Sequence, residues 1–598
     1  MAKLELTELR DRFRNAVDAD RPWRDEAWED YGFKWGTGQW SESDKALLRA
    51  QKRPSLTLNK VGPLMRLLGG YQRLNRYDPI LLPRTADDLE KAKKATAVTA
   101  FVLDETDYLN EESDVFDDGV TCGRGWFSVG YEWDDETERG SIVVRKRSPF
   151  DIYPDPEARK YDMSDANYVC DAEWVDKFDL TSAFPEQEDL INNTTAVYDS
   201  DEPDERGDRN YWYDNTTSKV RLVRMWYRAV THREELTDYG EKRRKRIKQI
   251  RVASYLGDLI LEDVESPYQH GFLPLIWFLP DWDGEGDIPR SVVRDLKDPQ
   301  REINKRRSQL LHILNTMANR GWLNQAGSLD PENRRKLEML GSTPGIVIDY
   351  NGQKPEAWDM TQLPTAFAQI EQASTGDLKE ISGINEEMMG MNVPASASGR
   401  AIELKQQAAI TSIAGILDSL RRTKKQVMRM LWGYRGRPGL IQQYMTEEMV
   451  IRITEENGQP GFVKLNEKVP VPDPVTGQLP FLDESGNVVA AVMNDLSTWE
   501  FDIVLSDEPT SPSGRTAAFW KLLEAAKQGV PIPPDILLEA SDIPQKEEIK
   551  AKMMAMQQAQ APPQGGGQPN VPGGVGPGNA PPNQGELLQM MQGGQANL

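Results

Sequence analysis

Two periodicities of apolar residues organise the first 287 positions of the chain. Helical spacing marks DDLEKAKKATAVTAFVLDET, whereas WFSVGYEWDD and GSIVVRKRSPFDIYPDP alternate apolar and polar positions around a charged turn. The alternation recurs in KVRLVRMWYRAV and IKQIRVASYLGDLILEDV, on either side of the basic run EKRRKRIK. These patterns predict an α+β body, and the acidic, turn-rich stretch AVYDSDEPDERGDRNYW predicts an exposed loop.

The pattern changes at Ile288, where one apolar stripe at helical spacing begins. It predicts a long amphipathic helix that stops at Gly321. Pro299 should kink this helix or mark its true start, because proline lacks the backbone donor and clashes with the preceding turn. The stripe consists of Val292, Leu296, Ile303, Leu310, Leu314 and Met317.

A compact piece over 321–364 follows, with one predicted strand, GIVIDY, and too few residues to hold a core alone. A second helical stripe covers 365–385, interrupted by Gly376. Helical spacing returns with Ser398 as the predicted N-cap. A helix over 400–434 would be about 50 Å long. Between these helices lies the Met-rich stretch MMGMNVPASASGRAIEL, in which proline and small polar residues disfavour continuous helix.

The last third of the chain returns to strands and then loses its pattern. EMVIRITEENGQPGFVKLN and TWEFDIVLSDEP alternate like strands, and a short helical unit begins near residue 509. Residues 559–598 are rich in Gly, Pro, Gln and Asn, a composition that buries too little apolar surface to offset chain entropy. We therefore predict a disordered tail.

Composition narrows the class of protein. The chain has 598 residues, 38% hydrophobic residues and 16 Trp, enough for several cores. Its 2 cysteines, Cys122 and Cys170, exclude a disulfide scaffold and fit a reducing compartment, with a single bridge left open. No window holds the roughly 18 apolar residues of a membrane helix, and the N-terminus lacks an apolar signal core, so we expect a cytosolic protein without a membrane partner.

Charge argues against one class of nucleic-acid binder. The formal net charge is -23, so a protein that grips phosphates with a basic surface is disfavoured. A surface that DNA passes without sticking remains compatible with this charge. The basic run Lys242 to Lys248 is a possible nucleic-acid patch, but its position at a predicted hairpin tip favours a solvated loop or a subunit contact.

Catalytic motifs are weak throughout. There is no G-x-x-x-x-G-K-[ST] loop, and GRGWFSVG leads into a strand, which favours a turn before a hairpin over a phosphate site. The acid pairs Asp117/Asp118 and Asp134/Asp135 suit Mg²⁺ chemically, yet a solvated face is the favoured interpretation in so acidic a chain. The histidines His232, His270 and His312 are not at metal-ligand spacing. We expect no metal, no cofactor and no enzyme activity, but an assembly component.

Several separated stretches together resemble the podovirus-type portal proteins of tailed bacteriophages. Their order and spacing agree over nearly the whole chain, although none of them is catalytic. The stretches are RPSLTLNKVGPLMRLLGGYQRLNRYDPILLP, GVTCGRGWFSVGYEW, RKRSPFDIYPDPEARKYDMSDANYV, GFLPLIWF, VVRDLKDPQREINKRRSQLL and ISGINEEMMG with SASGRAIELKQQ.

The resemblance implies a multidomain α+β portal fold and a ring, usually of twelve subunits, at one capsid vertex of the virion, assembled in the host cytoplasm. Double-stranded DNA would pass through the ring without sequence specificity. The implied protein partners are the terminase large subunit, the major capsid and scaffolding proteins, and the head-tail adaptor. The low-complexity tail departs from relatives that carry a helical C-terminal barrel there.

The resemblance also implies a domain order. It gives a wing at 1–287, stem helix 1 at 288–320, a clip at 321–364, stem helix 2 at 365–385, a tunnel loop at 386–399, a long wing or channel helix at 400–436, the β part of the wing at 437–508, a crown at 509–558 and a disordered tail at 559–598.

Three groups of site residues follow from this mapping. The DNA-facing tunnel loop would contain Met388, Met389, Met391, Asn392, Ser396 and Ser398. The stem would carry Arg301, Lys305, Arg306 and Arg307, as basic rings or inter-subunit pairs, or as solvated or paired side chains. The clip residues facing terminase or adaptor would be Arg334, Arg335, Lys336 and Glu338.

Two other classes of protein stay open. One is a Mg²⁺-dependent nuclease or packaging ATPase, which would cleave DNA or turn over ATP as the pure protein. The other is a different structural virion component, such as a tail adaptor or a capsid-associated scaffold.

Overall fold

The chain forms two compact units, Met1–Ala518 and Phe519–Leu598, in a computed structural model. The fold below is that of the first unit. The structure describes residues 3–83, 88–134, 136, 138–199, 212–214, 216–236, 242–282, 288–318, 322–341, 343, 345–357, 366–382, 413–454, 460–470, 490–499 and 501–505, with short pieces between 522 and 537.

Five helices and one strand begin the chain. Helix α1 is thirty residues long and ends at Gly36, whose φ of 81° lies in the left-handed region that favours glycine. Ser41 caps the second helix by accepting a hydrogen bond from the Asp44 backbone. The elements are α1 (Leu6–Trp35), α2 (Glu42–Ala50), α3 (Val61–Leu74), β1 (Pro79–Pro83), α4 (Leu89–Glu105) and α5 (Tyr108–Cys122).

Two sheets follow, and both predicted hairpins are confirmed. Strands β2 and β3 pair antiparallel and join β10 in a three-stranded sheet. A larger sheet has the order β4-β5-β7-β8-β9, with β6 paired to β7. The elements are β2 (Gly125–Asp134), β3 (Arg139–Arg147), β4 (Ile152–Pro154), β5 (Tyr168–Asp176), α6 (Lys177–Ala183), α7 (Glu188–Asp199), β6 (Tyr213–Asp214), β7 (Lys219–Leu236), β8 (Lys242–Leu256), β9 (Leu259–Glu265) and β10 (Leu275–Phe278).

Two predicted loops differ from the structure. The basic run Lys242 to Lys248 lies near the predicted hairpin tip, but it is strand: β8 begins at Lys242, opposite Leu236 of β7. Ladder hydrogen bonds to β7 therefore replace the expected loop. Helix α7 reaches Asp199, so the acidic stretch begins as helix, and residues 200–211 lie outside the described residues.

The long predicted helix is present as α8 (Val292–Ala318) and continues through Pro299. It starts at Val292, so the alternative that Pro299 marks its start is wrong. Proline at the eighth position of a helix costs one backbone hydrogen bond, and burial of Val293, Leu296 and Ile303 on the core face offsets that cost. Beyond α8 come β11 (Trp322–Leu323), α9 (Pro331–Leu340), β12 (Glu356–Ala357) and α10 (Ala366–Ser382).

The remaining elements close the body. Strand β17 pairs antiparallel with β1, so the C-terminal part of the first unit completes a sheet begun near residue 79. The remaining elements are α11 (Ala414–Trp432), α12 (Leu440–Tyr444), β13 (Met449–Thr454), β14 (Pro460–Leu465), β15 (Glu467–Pro470), β16 (Ala490–Met493) and β17 (Phe501–Leu505). Helix α11 ends at Gly433 and buries Leu420, Val427 and Leu431 in the main core. Of the helix predicted over 400–434, residues 400–412 and the predicted cap Ser398 lie outside the described residues.

The architecture is mixed α and β, as predicted. The main hydrophobic core joins α3, α4, α5, α8 and α11 to the β2–β3 sheet, and a second core lies between the start of α1 and the β5–β7–β8 sheet. Cys122 and Cys170 are both free and buried, in different hydrophobic clusters. The helices in the described residues include none that is long and apolar enough to cross a membrane.

The predicted strand GIVIDY does not form in the described structure. Residues 346–350 have no ladder partner there, and Val347 is 80% exposed. A β-strand needs a neighbouring chain segment to satisfy its backbone, and a single copy of this chain supplies none at this place among the described residues.

Candidate functional site

Three cations of α8 face three carboxylates of α1. Lys297 Nζ lies 2.6 Å from Glu29 Oε2, 2.9 Å from Asp30 Oδ1 and 3.0 Å from Glu26 Oε2. Arg294 reaches Asp30 at 3.1 Å, and Arg301 pairs with Glu29. We call these six residues the root network, because they attach the first half of α8 to α1.

Burial determines how the root network is charged. Asp30 is 0% exposed and Lys297 is 4% exposed. Burial raises the pKa of Asp30 against the opposing effect of Lys297 and Arg294. Burial also acts to lower the pKa of Lys297, but the hydrogen bonds that Lys297 donates to Asp30 and Glu29 outweigh this effect and the pKa is raised. The hydrogen bond from Lys297 lowers the pKa of Glu26. Lys297 is therefore charged, and the three carboxylates together stabilise its charge.

A polar ladder joins α8 to the segment before α3. The side chains of Gln300, Asn304 and Ser308 accept hydrogen bonds from the backbone N–H groups of Lys60, Leu58 and Leu56 at 3.0, 2.9 and 2.9 Å. Four helical residues rise about 6 Å and two extended residues rise about 6.6 Å, so every second residue of the segment meets every fourth residue of the helix.

The polar ladder is fully buried and has further partners. Gln300, Asn304 and Ser308 are 0%, 1% and 4% exposed. Asn304 Nδ2 donates to Gln39 Oε1 at 2.8 Å, and Gln300 Nε2 donates to the Leu58 carbonyl at 2.7 Å. Each of these buried amides thus uses both its donor and its acceptor, which buried polar groups require.

The same segment also contacts α10. Lys60 Nζ donates to Thr375 Oγ1 at 2.7 Å, while its backbone N–H bonds to Gln300 of α8. Helices α8 and α10 pack on each other, and β11 pairs with β12 just after α8 and just before α10. Helix α8 therefore runs out from Lys60 and α10 returns to it, as two helices of a hairpin that carries residues 322–357 between them.

The inserted piece at 322–357, which we call the small module, is held by few buried side chains. Leu337 is the buried apolar residue of α9, whereas Met339 is 81% exposed and Val347 is 80% exposed. The second half of α8 is also less covered than the first, with Leu314 45% exposed. The small module and the far half of α8 therefore leave more apolar side chain exposed than the first half of α8 does.

The four predicted clip residues all lie on exposed faces of α9. Arg334 Nε pairs with Glu338 Oε1 at 3.0 Å, and Lys336 Nζ pairs with Glu332 Oε1 at 3.0 Å. Arg335 is exposed. Both pairs join residues four apart on a helix surface, where they add a few tenths of a kcal/mol, roughly 0.3–0.5 each, and leave the charges accessible.

The four predicted stem residues do not form one group. Arg301 belongs to the root network and its guanidinium lies 4.9 Å from the centre of the Phe33 ring. Arg306 pairs with Glu302 one turn away, at 3.3 Å. Lys305 and Arg307 are exposed. The helical spacing of these residues places them on different faces, so Arg301 is structural and the other three lie outside the root network.

The predicted tunnel-loop residues lie outside the described residues. This applies to Met388, Met389, Met391, Asn392, Ser396 and Ser398.

One acid pair that suggested metal binding is structural. Asp118 is 5% exposed, accepts a hydrogen bond from Tyr31 Oη at 2.6 Å and pairs with Lys146 Nζ at 2.9 Å. Asp117 pairs with Lys34 of α1. The expectation of a solvated face is therefore wrong at Asp118, because α5 packs between α1 and the β2–β3 strands. In the described part of the chain, no group of three His, Cys, Asp or Glu side chains could hold a metal ion.

Sequence reasoning missed the residues that hold the site together. Arg294 and Lys297 lie one turn apart and match the acids at Glu26, Glu29 and Asp30, a complementarity visible only when α1 and α8 are compared. The polar ladder also has a recognisable signature, because Gln300, Asn304 and Ser308 recur at intervals of four along the amphipathic helix α8.

The fold and this site define a protein of mixed α and β architecture, in which a helix hairpin rooted in the body presents a small exposed module. A sequence profile of the phage P22-like portal protein family matches residues 10–598. The chain belongs to that family. It is also similar to the portal protein of Acyrthosiphon pisum secondary endosymbiont phage 1, at 23% identity over 529 residues that cover 78% of this chain and 67% of that protein. The family is one of structural virion components.

Proposed function

We propose that copies of this chain form a ring at one vertex of a phage capsid, and that double-stranded DNA enters and leaves the capsid through its channel. The observation that carries this proposal is the family match over residues 10–598, which spans nearly the whole chain. The ring is usually of twelve subunits in this family, and we expect the same number here.

The proposed domain order is the one that the resemblance to the family implies. Residues 1–287 and 437–508 form the wing, which the β1–β17 pairing supports. The hairpin of α8 and α10 is the stem, at 288–320 and 365–385, and the small module belongs to the clip at 321–364. For the remaining segments we propose a tunnel loop at 386–399, a long helix at 400–436, a crown at 509–558 and a tail at 559–598.

The clip is the surface that meets the terminase large subunit during packaging and the head-tail adaptor afterwards. The exposed charges of Arg334, Arg335, Lys336 and Glu338 and the exposed Val347 support this assignment. The unpaired segment 345–350 can complete its hydrogen bonds with a neighbouring copy, which converts an exposed edge into an interface. In a ring, a partner that binds this face contacts the clips of several subunits at once.

The channel wall does not need to bind DNA tightly. The chain's net charge of -23 gives a ring a strongly negative total charge, and an acidic lumen repels phosphates and lets a duplex slide. In the tunnel loop, Met388, Met389 and Met391 supply flexible apolar contacts that adapt to a passing duplex. Contact with DNA is then apolar and transient.

Negative-stain microscopy of the purified protein tests the ring. Rings with a central hole wide enough for a DNA duplex are expected. Monomers or solid particles at every protein concentration would contradict the proposal. The number of subunits should be counted in rings from virions, since rings assembled outside a capsid vary in number.

A loop exchange tests the channel contact. Replacing residues 392–398 by a Gly-Ser linker of equal length should leave ring assembly intact and reduce the packaging or retention of DNA in capsids. Normal packaging and retention would show that the loop is only a connector. The pure protein should also neither cleave DNA with Mg²⁺ nor hydrolyse ATP, and either activity would favour the enzyme class.

A further inference from the structure

A notch lies between α2 and the middle of α8. Its volume is about 140 Å³, close to the roughly 150 Å³ that admits one aromatic ring in a protein. Trp40, 7% exposed, forms part of its wall and donates from Nε1 to the Leu56 carbonyl at 2.9 Å. The lining residues are Trp40, Asp44, Leu47, Leu48, Arg53, Pro54, Lys305, Ser308 and Gln309.

The notch is apolar inside and basic at its rim. Helix α2 buries none of its residues, and Leu47 is 56% exposed although it lines the notch. Among the described residues, Arg53 and Lys305 at the rim form no ion pair, and neither do Arg49 and Lys52 beside them. Asp44 also lines the notch and Glu42 interacts with Arg49, so four cations outnumber two carboxylates here, in a protein with 95 acidic and 72 basic residues. Such a surface attracts an acidic partner.

The tip of the β2–β3 hairpin has the opposite character, and we call it the knob. Trp133 is 59% exposed there. Five of the seven residues in EWDDETE, 132–138, are acidic. Glu136 and Glu138 are exposed, and Glu132 pairs with Arg145 at 2.9 Å. Arg139 lies opposite Asp134 and Arg145 pairs with Glu132, so the knob presents one large aromatic side chain with five acids and two arginines around it.

Other exposed aromatic residues lack this combination. Trp28 is 65% exposed, but its ring stacks on Phe150 with centroids 4.2 Å apart, and the acids near it belong to the root network. Trp35 has Lys34 next to it, 5.5 Å from its ring. Phe178 lies between one basic and one acidic residue. Compared with these three residues, Trp133 is the one whose charge surroundings match the rim of the notch.

We propose that the knob of one subunit inserts into the notch of its neighbour, with Trp133 in the apolar notch and the acids of the knob against Arg53 and Lys305. This inference rests on the proposed ring and identifies one of its contacts. Two different, complementary patches on one chain give a head-to-tail interface, the kind that closes into rings. Trp133 does not line the notch of its own chain. A tryptophan in a pocket with an oppositely charged rim is typical of the residues that dominate interface energy.

Cross-linking tests the contact directly. Trp133→Cys and Leu47→Cys in one chain, treated with a short bismaleimide, should give a ladder of covalent multimers, whereas a mixture of the two single variants should stop at dimers. Phe178→Cys with Leu47→Cys is the matched control and should give no ladder. The native Cys122 and Cys170 are buried and should not react. Absence of a ladder from rings that are visible by microscopy would overturn the proposal.

Assembly measurements test the energetics. Trp133→Ala should raise the concentration needed for assembly about 30-fold, the effect expected from an interface hot spot, whereas Phe178→Ala should not change it. Arg53→Glu with Lys305→Glu should also block assembly, and Glu136→Lys with Glu138→Lys in the same chain should restore it. Unchanged melting temperatures would show that the variants are folded.

The outcomes separate this contact from the portal function. Wild-type rings together with unchanged assembly of the variants would overturn the knob-and-notch contact and leave the portal function standing. If the notch variants keep their rings and lose DNA retention, the rim cations face DNA and the proposal is wrong. A wild-type chain that never forms rings would contradict both proposals.

Discussion

The two halves of α8 are held in different ways. From Val292 to Ser308 the helix is fixed by the root network, the polar ladder and the main core, and its inward side chains are almost fully buried. Beyond Ser308 the helix and the small module expose Leu314, Met339 and Val347. The difference shows that a single subunit completes the root of the hairpin by itself, whereas at the far end it leaves large apolar side chains exposed.

The largest expected effect is at the root. Lys297→Met removes the cation that three carboxylates surround, including the fully buried Asp30. Removing one partner of a buried ion pair costs about 3–5 kcal/mol. We expect the free energy of unfolding, measured with urea, to fall by that amount. Arg334→Ala on the small module is the control and should change it by less than about 0.5 kcal/mol; equal effects would contradict the comparison.

Low pH should reduce the stability of the fold through His270. This residue is 1% exposed, and its Nδ1 accepts a hydrogen bond from the Phe272 backbone. Burial, with a smaller effect of Arg437, lowers its pKa from 6.5 to about 4. Between these values the unfolded state binds a proton that the folded state does not. Stability from this group is complete above pH 6.5 and falls by about 3 kcal/mol by pH 4.

His270→Asn keeps an acceptor near Nδ1 and removes the titrating group. Urea unfolding at pH 7 and pH 4.5 should show a shallower loss of stability in the variant than in the wild type. The same pH dependence in both proteins would show that other groups are responsible. The small module contains no histidine, so proteolysis within it should not follow this titration.

The polar ladder should contribute less than the root network. Asn304→Ala leaves the Leu58 N–H and the Gln39 amide without their partner, and unsatisfied buried groups cost about 1–3 kcal/mol. We expect a loss of about 2 kcal/mol in unfolding free energy. Gln309→Ala, five residues further along α8 and only partly buried, is the matched control and should be close to neutral. If Gln309→Ala lowered the unfolding free energy more than Asn304→Ala does, the assignment of the polar ladder to the root of the hairpin would be wrong.

The smallest effect on the single chain is expected at Val347. Val347→Asp changes a side chain that is 80% exposed, so the unfolding free energy of the monomer should stay within about 0.5 kcal/mol. If segment 345–350 contacts a neighbouring copy, the variant should nevertheless assemble poorly, as sedimentation velocity would show. Normal assembly would place Val347 outside the interface.

Much of the fold was predictable because local patterns decided it. The β2–β3 and β7–β8 hairpins, α8, α10 and the buried face of α11 follow the periodicity of their apolar residues. The site was less predictable. Arg301 shares its helix and charge with Lys305, yet Arg301 joins α1 while Lys305 lines an open notch. Asp118 has the sequence surroundings of a surface acid but is buried, because three elements meet around it.

The sequence by itself determined the class of the strongly periodic elements, the absence of a recognisable catalytic motif and the resemblance to phage portals, because periodicity, motif spacing and ordered short stretches are properties of the chain. Only the tertiary structure decided which charges are paired and which are exposed. Pairing depends on which elements meet, and residues 26–30 and 294–301 are separated by more than 260 positions in the sequence. The failure of GIVIDY to form a strand has the same cause, since a strand exists only where another segment supplies its hydrogen bonds.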